Sequence, residues 1–298
     1  MSKTIEMIAK KRRDALNAKE IAAAAACFRL QMFDILHQRG TGHWGGASSA
    51  AEIVTALYFN RLKIDCGNPK DDGRDRFILS KGHASINLYT VLAHRGFFPA
   101  EELPKFRTHG SFLQGHPSMK LCPGVDISTG ALGHGLSAGA GMALAAQLSG
   151  KKYWTYVLSG EGCLDEGSTW EAMLFAAKYK PRGLVYMIDY NKIQLDGPAE
   201  EILPLEPLAG KFRAFGWNTA PRAYNGHDAA DILASFEWLD KDEIFPKAII
   251  YDTVKGKGVS FMEGTNKWHG APIDGESYKK GRPELEADLQ KKEAALWA

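Results

Sequence analysis

Four short apolar runs, at residues 76–80, 153–158, 184–189 and 247–251, are separated by longer stretches of helical pattern. A chain that alternates in this way builds βαβ units, because parallel strands need crossover connections and the crossover helices pack back onto the sheet. The expected fold class is therefore α/β, a parallel sheet with helices on both faces. Helical patterns lie at about 170–178, 208–215 and 229–238, and the small-residue run 133–148 suits a helix packed closely on its neighbours. Upstream, residues 4–38 read as one helix stopping at the Gly40-Thr41-Gly42 breaker. A second apolar helix follows Ser48 and Ser49 to about Phe59, and a third follows Gly82-His83 to about Ala93. No repeat, low-complexity tract or linker divides residues 1–298, so one domain is the simplest organisation.

The formal charge of +2 offers no electrostatic footprint for nucleic acid or an anionic membrane. One compact basic run, KKRR at 10–13, is expected on a solvated helix face. Cys27, Cys66, Cys122 and Cys163 form no CxxC pair, which suggests a reducing compartment rather than a disulfide framework. The N-terminus carries no secretory pattern. The Ala-rich stretch 21–36 is interrupted by Arg29 and Asp34 and reads as a buried helix, not a membrane span. A cytoplasmic protein is expected.

Ligands of open α/β sheets sit at the carboxyl ends of the strands. Two strand ends are informative here: Ser159-Gly160-Glu161-Gly162 and Asp189-Tyr190-Asn191. A hard divalent cation needs oxygen ligands, and Glu161, the Asn191 amide and the Ile193 carbonyl would supply three. Gly160 and Gly162 would let the backbone approach a phosphate, and the N-terminus of the next helix would favour its charge. The plain alternative is an acidic residue in a tight turn and a capping Asn in an unrelated loop.

The stretch GEGCLDEGSTWEA, with DYNKIQLDG about 28 residues on from Gly162, resembles the thiamine-diphosphate motif of transketolases, which usually reads GDG. The resemblance implies metal ligation by Glu161 in place of Asp, by Asn191 and by the Ile193 carbonyl, with Mg²⁺ (or Ca²⁺ or Mn²⁺) as the ion. Further segments follow in family order. His43 lies in TGHWGG, with Trp44 where Pro is usual; His83 lies in SKGHA, His116 in LQGHPS and His269 in WHGAP. By resemblance these four are catalytic, holding donor hydroxyls and moving protons, and His269 also approaches the diphosphate. Imidazole suits such work near neutral pH. Each taken alone also reads as an ordinary structural histidine.

TGALG at 129–133 resembles the family's TGxLGQG, implying that the Gly130 carbonyl and Leu132 contact the cofactor, with His134 replacing Gln. Gly139 and Gly141 are better explained by helix packing than by a ligand. Glu166 matches an acidic residue of the family's subunit interface. Lys255, in TVKGKGVSF, matches a segment near the cofactor, and a solvated lysine is the alternative.

The resemblance spans the first helix to about Ala271 and is strongest to the N-terminal subunits of split bacterial transketolases. It implies a single diphosphate-binding domain over 1–298, with the family's pyrimidine-binding and C-terminal domains supplied by a partner subunit in an α₂β₂ assembly. The implied reaction moves a two-carbon ketol unit from a ketose, often phosphorylated, to an aldose. Two other readings stand beside it: a 2-oxo acid decarboxylating or acyloin-forming subunit, and a non-catalytic regulatory subunit whose metal site is degenerate at Glu161.

Overall fold

Asn17 divides what reads as one N-terminal helix. In a computed structural model describing residues 3–12 and 14–297, α1 spans Lys3–Lys10 and α2 spans Ala18–Arg39. The Asn17 Oδ1 accepts from the Glu20 N–H at 3.1 Å, and Glu20 Oε2 accepts from the Asn17 N–H at 2.9 Å. This capping box satisfies donors that a continuous helix would have used internally. Lys10 ends α1 and Lys11 pairs with Glu20, so the basic run leaves the helix instead of lining it. Arg13 lies outside the described residues. The stop at Gly40 is as expected, with φ of 60° in the left-handed region.

The next helix starts earlier than Ser48. It comprises α3 (Gly45–Ser49) and α4 (Ala51–Ala56), and widens into a π turn at Leu57–Arg61. The Ser48 and Ser49 hydroxyls donate to the Gly45 and Gly46 carbonyls at 3.1 and 3.2 Å, which places both serines inside the helix and not at its cap.

The strands are β1 (Arg76–Leu79), β2 (Thr155–Gly160), β3 (Leu184–Tyr190), β4 (Asn218–Thr219), β5 (Tyr224–Asn225) and β6 (Lys247–Asp252). All pair in parallel in the order β1-β2-β3-β6-β4, and the short β5 also pairs with β6, beside its other end. Tyr156 and Leu158 of β2 join one core and Val157 the other, so alternate residues face opposite layers. The first layer holds α2, α4, α5 (Ser85–Arg95) and α10 (Ala229–Leu239); the second holds α6 (His134–Leu148), α7 (Gly167–Tyr179) and α9 (Leu208–Ala214). A four-residue α8, Ala199–Ile202, lies between β3 and α9.

Gly139 of α6 packs as expected: a Cβ there would fall 2.4 Å from Val157 Cγ2. Gly141 does not, since it is exposed with nothing within 4 Å. The elements read from the sequence stop at residue 251, and beyond them α11 spans Gly275–Trp297. Its buried residues are Gly281, Leu285 and Leu289, one per turn, in an otherwise polar helix. It lies on α2, where the Tyr278 ring stacks on His37 at 3.9 Å and Arg282 Nε bonds Asp34 at 2.9 Å. Among the described residues no helix is long and apolar enough to cross a membrane, and none of the four cysteines forms a disulfide.

Candidate active site

The carboxyl ends of β1, β2, β3 and β6 converge on a cavity of about 280 Å³. Its lining includes the sequence-predicted Gly160, Glu161, Gly162, Asn191, Ile193, Lys255, His83, His269, Leu132 and Glu166, together with Lys81 and Gln194. Glu161 leaves the end of β2 in a 3₁₀ turn, Glu161–Asp165, and α7 begins only at Gly167. The helix N-terminus expected directly after GEG is thus displaced by this turn. At Gly160 and Gly162 a Cβ would meet just one side-chain atom within 4 Å, at 3.7 Å, so their free space is the cavity itself.

Glu161 is buried, and its Oε1 has no hydrogen-bond partner. Burial raises its carboxyl to about 7, assisted by the neighbouring Asp189 charge. The Asn191 Oδ1 accepts from the Ile193 N–H at 3.2 Å, and the loop turns back where the Gln194 N–H meets Gly197 O at 2.8 Å. The Ile193 carbonyl is engaged by the Lys255 ammonium at 2.8 Å, which leaves one lone pair of the oxygen unused.

Lys255 is 2% exposed, which rejects the solvated alternative. Its Nζ also donates to the Gln194 carbonyl at 2.9 Å and to His269 Nδ1 at 2.8 Å. Burial lowers its ammonium to about 8, with Lys81 adding to the depression and Glu161 and Asp189 opposing it.

The four histidines form one cluster. The His43 ring centroid lies 5.3 Å from His83, 5.5 Å from His269 and 6.3 Å from His116, and His83 stacks on His269 at 4.9 Å. Burial, then the charges of Arg107, His116 and Lys255, lower His43 to about 4. Burial and Lys255 lower His269 to about 3. Burial, then Lys81, holds His83 well below its ordinary value, and burial with Arg107 lowers the more exposed His116. All four rings are neutral at pH 7. The His43 Nδ1 is buried without a partner.

Gly130 meets His116, whose Cδ2 would lie 3.3 Å from a Cβ added at that glycine. Leu132 flanks the cavity beside Gly162. His134 is exposed at the start of α6. Trp44 is buried, its ring edge-on to Phe33 at 5.0 Å, so the residue in place of Pro serves the core. Glu166 is exposed at the start of α7, and a Cβ on Gly133 would fall 2.5 Å from the Glu166 Cβ. Gly133 also has φ of 80°. Gly133→Ala is therefore expected to cost about 1–3 kcal/mol by overpacking alone, read as a lowered thermal midpoint; an unchanged midpoint would refute this account.

Sequence reasoning missed an ion pair at the cavity wall. Lys81, just past β1, pairs with Asp189 of β3, and both are buried. Burial pushes the Asp189 carboxyl up, but Lys81 with hydrogen bonds from Ser49 and Thr253 outweighs this and holds it below the usual range. Arg107 was missed too. The signal available for the pair was a lysine just past one strand and an aspartate near the carboxyl end of another, both at the ligand edge of a parallel sheet.

Residues 20–293 match the family model described as transketolase, thiamine diphosphate binding domain. The chain is 40% identical over 265 residues to an apulose-4-phosphate transketolase subunit of Phocaeicola vulgatus, covering 89% of this chain and 93% of the relative. It is 42% identical over 249 residues to 6-deoxy-6-sulfo-D-fructose transketolase subunit SqwG of Clostridium sp. strain MSTE9, covering 84% and 90%. The transketolase of Campylobacter jejuni superposes with a TM-score of 0.83 at 30% identity, over 93% of this chain and 46% of that one. The chain thus spans about half of the solved transketolase chain and nearly all of the two subunits. It belongs to the transketolase family, through that family's thiamine diphosphate-binding domain.

Proposed function

We propose that this chain is the diphosphate- and metal-binding subunit of a two-component transketolase, transferring a two-carbon ketol unit from a ketose to an aldose. The observation that carries the reading is one cavity, at the ends of adjacent parallel strands, that joins the Glu161–Asn191 loops to a cluster of neutral histidines. Thiamine diphosphate, when bound, supplies the carbanion chemistry, while the protein supplies orientation and electrostatics.

The residues present fit that cofactor. Glu161 Oε1 is a buried oxygen without a partner, as a cation ligand would be before its ion arrives. With Asn191 and the free lone pair of Ile193 O it offers a hard, oxygen-only set suited to Mg²⁺, or to Ca²⁺ or Mn²⁺. This unused carboxylate speaks against a degenerate, regulatory site. Gly160 and Gly162 leave room for a diphosphate, and Lys255 supplies positive charge beside it. Gly130 and Leu132 would contact the thiamine rings. His83 and His116 would hold donor hydroxyls, and His43 and His269 would carry protons as neutral imidazoles.

The two subunit relatives are named for ketoses bearing a phosphate or a sulfonate, which supports an anionic ketose donor and favours sugar transfer over oxo-acid chemistry. Their names as subunits support a partner chain, which we take to carry the pyrimidine-binding domain in an α₂β₂ assembly, with Glu166 at the contact between subunits and the whole in the cytoplasm.

Calorimetric titration of thiamine diphosphate with Mg²⁺ tests this. Binding by the chain alone is expected to be metal-dependent and to tighten by at least about tenfold, or 1.4 kcal/mol, when a pyrimidine-domain subunit is co-expressed. A demonstrated complex that takes up no cofactor would sink the reading.

A further inference from the structure

The loop leaving β6 brings Lys255 into the cavity, but part of what holds this loop lies outside it. We infer that His227 is a positioning residue for the site: through the N–H of Val254 it sets the backbone from which Lys255 reaches Ile193, Gln194 and His269. The inference rests on the cofactor-site reading of the cavity.

His227 lies between β5 and α10 and is not part of the cavity lining. Its Nε2 lies 2.8 Å from the Val254 N–H. A backbone N–H can only donate, so Nε2 is bare and the ring proton sits on Nδ1. Nδ1 faces Glu52 Oε2 at 3.3 Å. Glu52 is buried on α4, and burial pushes its carboxyl up, yet Arg29 and His227 outweigh this and hold it at about 2. Arg29, from α2, meets Glu52 Oε2 at 2.6 Å and the Ser48 carbonyl at 3.1 Å. A buried guanidinium therefore fixes a carboxylate, the carboxylate fixes the imidazole tautomer, and the imidazole fixes one amide. Metal-bound histidines are oriented by outer carboxylates through the same logic.

Three consecutive residues are tied by this arrangement. The Thr253 hydroxyl donates to Asp189, the Val254 amide to His227, and the Lys255 ammonium to two carbonyls and His269. A lysine loses much rotamer freedom when all its donors are engaged. That order is retained only if the backbone beneath it does not move. Releasing Val254 would let the Lys255 stem relax away from the diphosphate end of the cavity.

Two substitutions separate the two sides of the His227 ring. In His227→Gln the amide oxygen reaches the place of Nε2, so the acceptor for Val254 is kept and the bond to Glu52 is lost. In His227→Asn the amide nitrogen sits near Nδ1, so the Glu52 side is kept and the acceptor for Val254 is lost. In the complex with the partner subunit, His227→Asn should raise the apparent KM for thiamine diphosphate with Mg²⁺ on the order of tenfold, with kcat at saturating cofactor little changed. Its Val254 amide should exchange with solvent faster than in the wild type. His227→Gln should stay close to the wild type in both readouts. Equal shifts in the two variants, or none in either, would overturn the inference, since a role in burying Glu52 alone predicts that Asn is the milder change. If the wild-type complex takes up no cofactor, the cofactor-site reading fails, and Val254 exchange decides the loop role: exposed in Asn but protected in Gln supports it, and equal exchange refutes it.

Discussion

Glu161→Gln is expected to stabilise the cofactor-free chain at pH 8 while removing most of its metal-dependent cofactor affinity. Glu161 is raised from 4.5 to about 7, first by burial and then by Asp189. Between these values the unfolded chain releases a proton that the folded chain retains, so stability falls as pH rises through this window. The cost is absent below about pH 4.5 and complete above about pH 7. A shift of this size corresponds to on the order of 3 kcal/mol, which a neutral amide of the same shape would not incur. Denaturant unfolding at pH 4 and pH 8 should show the variant gaining at the higher pH only. Removing one member of a buried charge contact typically costs about 3–5 kcal/mol, so Mg²⁺-dependent cofactor affinity should fall by roughly 10²–10⁴-fold. Equal stability at pH 8 would mean that this carboxylate is not desolvated, and undiminished affinity that it is not a ligand.

His269→Ala, in the complex with the partner subunit, is expected to lower kcat/KM by roughly 10²–10⁴-fold, the range for loss of a positioned proton carrier, with the fold intact. Its ring is in contact distance of His43 and His83 and accepts from Lys255. Burial, and then the charge of Lys255 and neighbouring groups, lowers His43 to about 4 and His269 to about 3, so these two rings stay neutral well below the usual histidine range. Imidazole ¹⁵N shifts of the unliganded chain should show His43 and His269 uncharged at pH 5.5. The sign for stability follows: these histidines are lowered on folding, so the unfolded chain binds more protons between about pH 4 and 6.5. The contribution of these histidines to stability therefore rises with pH across that interval, opposite in sign to that of Glu161, and their acid destabilisation should begin near pH 6.5. A ring titrating at 6.5 in the folded chain would contradict the packing described here.

Much of the fold is legible because it is written at short range. The alternation of apolar runs with helical patterns forecasts parallel strands with helices on both faces, and all four runs form strands, β1, β2, β3 and β6. The glycine-punctuated ends of β2 and β3 mark Glu161 and Asn191 for the same reason: ligands collect where parallel strands end. The four histidines are visible through the segments around them, and the structure gathers the other three around His43, with ring centroids 5.3, 5.5 and 6.3 Å from it. Local pattern is less informative where capping competes with helix continuation. Asn17 reads as helix interior because neighbouring residues favour helix, whereas its side chain and Glu20 close a box that starts a new one.

What the sequence alone determined, then, is the layer architecture and the ligand edge of the sheet, since periodicity and glycine placement are local properties of the chain. Tertiary structure alone decided which charges are buried and what they meet. Lys81 and Asp189 stand 108 positions apart, Lys255 is buried among Gly45, the loop of Ile193 and Gln194, and His269, and His227 gains its partners from α4 and from the loop after β6. Desolvation and pairing depend on neighbours brought together from distant segments, and no short-range pattern carries that information.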